Sequence, residues 1–452
     1  MSGAAASGRA PHDGRTGVIR FGLVTVLVGL GAGVAGTALA LLLHLVQHTA
    51  YGYRSGSFLA GVEAAAPWRR VAMMALGGVV AGVGWWALYR YGRPLVSIRA
   101  AVASPRPRMP VLSTLWHGLL QIVTVGLGSP LGREVAPREV AALIATEITE
   151  RTAVTARQRQ VLIASAAGGG LAAVYDVPLG ATVFTLEVLL ASWAVGAVLP
   201  AVVVAALATL ISWLALPDEP VYHLPQLAGG GSLIVWSVLV GPVIGLCAYV
   251  FSRAATAARD RAPRGKALLV TAPVAFVLIG LLAVPYPQLL GNGKAPAEIA
   301  FLAEPGFGLV AMLLLLRVLV VVLALGAGAA GGLLTPSLAN GALLGVLAGA
   351  AWLLWWPGDP LTSYAVVGAG AFLAAAQRMP LTAVVLILEF TDAPRELVVP
   401  VLIAVSGAVA VRWVCDRSGL GWRGTGRAGG GGAVRGGGAG PGVVGGKSDA
   451  ET

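Results

Sequence analysis

Charge is scarce in this chain. Its 452 residues include 31 Lys and Arg and 20 Asp and Glu, so 11% are charged, against about 25% in an ordinary soluble domain. So few charges cannot cover a soluble fold of this size with polar surface. There are two cysteines, Cys247 and Cys415, both in apolar runs, which excludes a disulfide framework. No nucleophile elbow, P-loop, HExxH or paired-cysteine zinc spacing occurs, so an enzyme has no motif to rest on. Disorder is excluded for most of the chain, because 57% of it is hydrophobic and mean hydropathy is +0.82. What remains is an all-α polytopic membrane protein.

Residues 1–16 are small, polar and basic, with no cleavage site after a short apolar core, so no signal peptide is expected. Apolar segments follow at about 18–46, 71–88, 111–127, 140–148, 161–174, 178–214, 231–251, 267–285, 307–325, 333–356, 363–376, 380–390 and 396–414. Several are shorter than the roughly 20 residues of a straight span. Short pieces interrupted by Gly and Pro (63 and 27 residues) predict broken and tilted helices that line a protein-buried site. From Gly419 the chain is rich in Gly with scattered Arg, the composition of a disordered tail. Both ends are basic, with Arg9, Arg15 and Arg20 at one and Arg412, Arg417, Arg423, Arg427 and Arg435 at the other. That places both termini in the cytoplasm, with an even number of crossings.

The chain repeats itself. GGGLAAVYDVPLGATVFTLE (168–187) and GAFLAAAQRMPLTAVVLILE (370–389) match at 10 of 20 positions at an offset of 202. Gly132 and Pro137 have counterparts in Gly332 and Pro336, at offsets of 200 and 199. Two landmarks at nearly one spacing imply two membrane halves with a site at their interface. The expected division is a disordered N-terminus (1–16), a first half (17–215), a linker (216–230), a second half (231–415) and a disordered tail (416–452). These residues alone do not say whether the halves are parallel or inverted.

The chemistry sits at the same landmarks. Gly126–Pro137 (GLGSPLGREVAP) runs from glycines through an Arg-Glu pair into a helix expected to start near Ala136, with Pro137 early in it. Gly326–Pro336 (GAGAAGGLLTP) repeats the design, with Thr335 expected as N-cap and Pro336 opening a helix. Free amides at two converging helix N-termini make an anion site of partial charges, which lets an ion bind and also leave. Glu134 is an acid beside that site, and its carboxylate would compete with an anion for the same amides. The plainer reading is a local Arg133–Glu134 or Glu134–Arg138 pair at a wet helix start. Glu187 and Glu389 end the repeated helices, in a site or a structural role. Asp176 reads as a helix cap. His44 and His48 have metal-pair spacing without a third ligand, so no metal site is expected, and His117 and His223 read as isolated structural residues.

These residues resemble the CLC family of chloride channels and chloride/proton antiporters. GREVAP resembles that family's GREGP segment with one inserted residue, and GGLLTPSLANGALLG its GxFxP segment. PLGATVFTLE and MPLTAVVLILEFTD resemble the paired helices that the family places at its dimer interface. The likeness covers about residues 18–415. It implies an inverted repeat of two helical halves, a homodimer, and one pathway per subunit. It implies that Glu134 is the gating glutamate and proton carrier. The amides of Leu333 and Leu334 would bind a central anion, and those around Gly132, Arg133 and Val135 an outer one.

The chain departs from the family at four places. Gly92–Val96 stands where the family has a GSGIP loop, with Ser97 nearby. The last tyrosine is Tyr364, so the late anion-binding tyrosine has no counterpart. Val188 stands where the family has an inner proton glutamate. The final cytosolic helix has no counterpart. These departures weigh against central-site chloride selectivity and tight proton coupling. The expected function is a permease for chloride or a similar small anion, not an enzyme. It needs no cofactor beyond the bound anion and lies in membrane lipid, as a multi-pass protein of a prokaryotic inner membrane. No nucleic-acid partner is expected. The rivals are a passive channel, a non-transporting relative, and a membrane enzyme acting on an anionic lipid through Arg93, Arg133 and Glu134.

Overall fold

A computed structural model describes residues 12–104, 108–216, 221–222, 224, 227–302 and 306–418. Its first half holds α1 (His12–Tyr51), α2 (Phe58–Ala64), α3 (Pro67–Tyr91), α4 (Ile98–Ala103), α5 (Val111–Gly126), α6 (Val135–Glu150), α7 (Ala156–Tyr175), α8 (Pro178–Phe184, continued by a π-helical turn over Thr185–Leu190) and α9 (Val195–Trp213). The second half holds α10 (Gly231–Arg261), α11 (Leu268–Leu282), α12 (Lys294–Leu302), α13 (Phe307–Gly326), α14 (Leu334–Leu353), α15 (Leu361–Gln377), α16 (Pro380–Phe390) and α17 (Val398–Arg417). Among the described residues seven helices are long and apolar enough to cross a membrane, namely α1, α3, α9, α10, α13, α14 and α17, and shorter apolar helices fill in between them. Their outer faces expose Leu and Val, and Trp68, Trp213, Trp355 and Trp413 lie near helix ends. Such ends are where aromatic side chains meet the membrane surface.

The repeat is visible in backbone detail. α5 and α13 both run into a glycine with positive φ, Gly128 (113°) and Gly328 (95°), where a side chain would be strained. α7 and α15 both end in a left-handed residue, Asp176 (φ 55°) and Arg378 (φ 57°), two residues before Pro178 and Pro380 at the first helical position. Asp176 is therefore a C-cap, and its carboxylate also accepts from Trp213 Nε1 at 2.9 Å.

The two halves lie in opposite senses. Glu389, at the end of α16, accepts from the first-turn amides of α8, Leu179 N at 2.9 Å and Gly180 N at 2.7 Å. Glu187, near the end of the α8 segment, accepts from Leu381 N at 3.0 Å, Thr382 N at 2.8 Å and the Thr382 hydroxyl at 2.6 Å. Each carboxylate caps the other repeat's helix, which requires α8 and α16 to run antiparallel. In lipid these amides have no water to turn to, so the caps satisfy donors that helix geometry leaves bare. Both glutamates thus have a structural role as reciprocal caps.

Packing sets one arginine-rich face. Gly82 of α3 lies against Leu268 of α11 and Gly280 against Val71, so these helices are antiparallel. Gly241 packs on Ala404 and Gly245 on Ala408, so α10 and α17 are parallel. The end of α3 (Arg90, then Arg93), the end of α10 (Arg259, Arg261) and the α10–α11 loop (Arg264, Lys266) therefore gather on one side.

Several sequence expectations change. α1 reaches back to His12, past the expected start at residue 17, and α6 is longer than the apolar stretch 140–148. α2, α4 and α12 were not anticipated, because six to nine residues carry too little apolar period. Thr335 is not an N-cap. α14 starts at Leu334 with Leu333 in the capping place, and the Thr335 hydroxyl meets Tyr175 Oη at 2.9 Å. The tail from residue 419, the start of the N-terminus to residue 11, and His223 lie outside the described residues.

Glu389→Ala should destabilise the protein by about 1–2 kcal/mol, the loss of a charged helix cap. The thermal unfolding midpoint in detergent measures this, and Glu187→Ala should lower it comparably because the two caps are equivalent.

Candidate anion site

Two glycine-led loops meet between the halves. Gly132 N donates to Gly332 O at 2.8 Å and Gly332 N to Gly132 O at 2.9 Å, an antiparallel bridge between the entries to α6 and α14. The bridge brings the first turns of both half-helices together. Glu134 stands at the N-cap position of α6, only 1% exposed. Its Oε1 accepts from Leu334 N, in the first turn of α14, at 2.8 Å. Oε2 has no hydrogen-bond partner among the described residues.

Glycine is required on both sides of this contact. A Cβ at Gly132 or Gly332 would collide with the Glu134 carboxylate. The carboxylate therefore lies on bare backbone, where a single anionic group fits. The amide of Gly132 is engaged by Gly332, so Gly132 serves the site by its lack of a side chain. The first-turn amides of α6 and α14, at Val135, Leu333 and Leu334, include donors that helix geometry leaves without an intrahelical acceptor. They supply partial positive charge in a low-dielectric interior.

The expected local ion pairs are not what forms. Arg133 donates to Val174 O at 3.3 Å and lies 4.9 Å over the Tyr175 ring. Arg138 lies 4.3 Å over the Phe184 ring. Neither forms a salt bridge with Glu134 among the described residues. Glu134 is buried rather than at a wet helix start, and the reason is the amide of Leu334, 200 residues away.

Arg317 was missed by sequence reasoning. It is fully buried in α13 and donates to Leu289 O, Gly291 O and Pro130 O at 3.0, 2.9 and 2.8 Å. It ties the loop before Gly132 to the α11–α12 connection and adds a full positive charge near the site. The signal was a single arginine inside the apolar run 307–326, which membrane energetics marks as functional. Tyr175 was missed too, because its hydroxyl reaches the site only through the fold.

Other singled-out residues lie elsewhere. The Ser97 hydroxyl caps α4, accepting from Ala100 N at 3.2 Å. Tyr364 is buried in α15 beside Trp236, with Ser232 Oγ at 3.5 Å. Arg93 lies exposed in the α3–α4 connection, so the trio of Arg93, Arg133 and Glu134 required by the lipid-enzyme reading does not assemble into one polar site. His44 stacks near His48, and no metal-binding group occurs among the described residues. His117 is not isolated. Its Nδ1 is 2.8 Å from Glu139 Oε2.

Residues 77–412, well over half the chain, match the family model described as voltage gated chloride channel. The chain belongs to this family. The family makes it an integral multi-pass membrane protein of the chloride channel and antiporter class, and not an enzyme. Curated relatives carry the name voltage-gated ClC-type chloride channel ClcB. The protein of Salmonella dublin is 28% identical over 381 residues, covering 82% of this chain and 90% of its own. That of Escherichia coli strain SMS-3-5 is 29% identical over 390 residues, with the same coverage. Among solved structures, a slow cyanobacterial Cl−/H+ antiporter superposes with TM-score 0.76 at 20% identity, covering 87% of this chain and 94% of its own. A CLC-type fluoride/proton antiporter gives 0.63 at 20% identity, covering 87% and 95%. The fold is the nearly all-helical one of these neighbours.

Gly332→Ala should force the Glu134 carboxylate off the Leu334 N–H. A structure of that variant checks this, the expected outcome being Glu134 rotated beyond hydrogen-bond distance while the Gly132–Gly332 bridge persists.

Proposed function

We propose that this protein exchanges chloride, or a similar small anion, for protons along a path that Glu134 interrupts. The observation that carries the reading is the Glu134 carboxylate on the amide of Leu334 at 2.8 Å. A carboxylate and a halide are both anionic acceptors, and one set of helix-terminal donors can hold one of them at a time. Protonation of Glu134 removes its charge and weakens its hold on the amide, which frees the place for an anion. Departure of the anion and return of the carboxylate releases the proton. The amides of Leu333 and Leu334 hold the central anion, and those of Arg133 and Val135 an outer one. Gly132 leaves room for it. Chloride is the only bound group the site calls for.

The arginine-rich face formed by the ends of α3 and α10 and the α10–α11 loop is the cytoplasmic one by the distribution of positive charge. α17 ends on that face and α1 starts there, which puts both termini in the cytoplasm of a prokaryote with the protein in its inner membrane. The halves 17–215 and 231–415 act as the two sides of one pathway. Leu179 of α8, Leu381 of α16, Val195 and Leu199 of α9, and Val399 and Leu402 of α17 are exposed. They form the face on which a second copy docks to give a homodimer, with lipid around the rest.

A passive channel is the second reading. Val188 and the capping role of Glu187 favour it, since neither offers a free acid near the end of α8. Proteoliposomes separate the two. Exchange predicts proton movement driven uphill by a chloride gradient, and a channel predicts anion flux alone. No anion flux above empty vesicles overturns both. Glu134→Gln mimics the protonated acid, so its anion flux should lose its dependence on pH and its proton movement should fall at least about tenfold, in line with the weight of a positioned proton carrier.

A further inference from the structure

We propose that His117, Gln121 and Glu139 form a proton-loading station that serves Glu134 through a water-filled cavity. The proposal rests on the exchange reading above and names a second site for it. A cavity of about 330 Å³ is lined by His117 and Gln121 of α5, by Val135 at the start of α6 and by Gly331 before α14. Its inner end therefore lies beside Glu134 and Gly332. Its other walls include Tyr89, Arg259 and Arg264, all exposed on the arginine-rich face, and an apolar stretch from Leu325 to Ala330. The volume holds several waters, and polar groups are there to anchor them.

The three side chains close a triangle. His117 Nδ1 lies 2.8 Å from Glu139 Oε2 and 2.9 Å from Gln121 Nε2, and Gln121 Nε2 lies 3.2 Å from Glu139 Oε2. Two bare lone pairs facing each other at 2.8 Å would repel, so one proton resides on the His117–Glu139 line. With that proton on Nδ1, both His117 and Gln121 donate to Glu139. With it on Glu139, the single lone pair of Nδ1 accepts from Glu139 Oε2, and Gln121 donates to that same oxygen. Both contacts to Glu139 hold in either state, so the proton can change owner along the His117–Glu139 line. Gln121 is fully buried, lines the cavity, and leaves its Oε1 without a partner. A small opening of the cavity wall would let a water donate to that oxygen. Burying it unpaired would otherwise cost about 1–3 kcal/mol.

Glu139 follows Glu134 by five positions on α6, about 7.5 Å of rise and about 140° around the helix, so the link between them runs through the cavity that His117 and Gln121 line. The step is a transfer with one proton in and one out. A hydronium ion at the mouth gives a proton to the pair and leaves as water. The pair passes a proton through cavity water to Glu134 Oε2, the oxygen without a partner. Among the charged and titratable groups around the pair, Tyr89 of α3 is in electrostatic reach of both Glu139 and Arg264 of the α10–α11 loop. Arg138 of α6 also reaches Glu139, and Arg259 of α10 stands on the cavity wall. The cationic mouth draws anions to the same vestibule, so the two ions share an entrance and part at the triangle.

The test is simultaneous recording of chloride and proton movement by purified full-length protein in phosphatidylethanolamine/phosphatidylglycerol vesicles. Glu139→Gln should keep chloride movement within about twofold and lower proton movement at least about tenfold. His117→Gln should do the same, and Glu139→Asp should restore part of the proton movement. An unchanged proton-to-chloride ratio in Glu139→Gln overturns the station and leaves the role of Glu134 standing. Equal loss of both fluxes in a variant that runs as a single species on gel filtration overturns it as well, since that is the mark of packing. Wild-type protein that moves chloride and no protons overturns the station together with the exchange reading.

Discussion

A helix that ends inside a membrane leaves its first amides without partners, and this architecture is a set of answers to that constraint. Four half-helix starts face the interior among the repeated segments. Those of α8 and α16 take a carboxylate from the opposite repeat, Glu389 and Glu187. That of α14 takes a carboxylate too, from Glu134. The first two caps lie away from the cavity. The third stands at its inner end, on backbone kept bare by Gly132 and Gly332. One physical solution thus serves twice as a two-oxygen cap at α8 and α16 and once as a one-oxygen contact at α14.

What distinguishes the contacts is their surroundings. Glu187 and Glu389 each accept two amides, so both oxygens are engaged. Glu134 engages one oxygen and leaves the other bare in a buried place. A half-satisfied carboxylate holds less tightly than a fully satisfied one. Arg317 stands nearby with three carbonyls as acceptors, and it organises the loops without a salt bridge to Glu134 among the described residues. Positive potential and a loosely held acid coexist at the same spot for that reason.

The sequence carries the frame more openly than the contacts. Pro178 and Pro380, the glycines before α6 and α14, and the 202-residue offset all mark places where local backbone chemistry dictates the turn, so they could be read directly. Glu134 was legible because an acid inside an apolar stretch is costly. Thr335 was misread because Ser or Thr before Pro usually caps a helix, and here Tyr175 takes its hydroxyl instead. His117 looked solitary because Glu139, its partner, lies 22 residues away on another helix. Arg317 could have been flagged by its apolar setting, but its three carbonyl partners come from separate loops. Pairings of this kind are set by tertiary packing, which no local period records.

The Gly132–Gly332 bridge has a mechanical consequence. Two backbone hydrogen bonds join the halves at the very centre, while the paired glutamates rivet them again at α8 and α16. A rocking cycle, with one half tilting against the other, would have to tear these joints on every turnover. The bridge and the paired caps thus set a cost on any tilting of one half against the other that a movement of a single side chain does not meet.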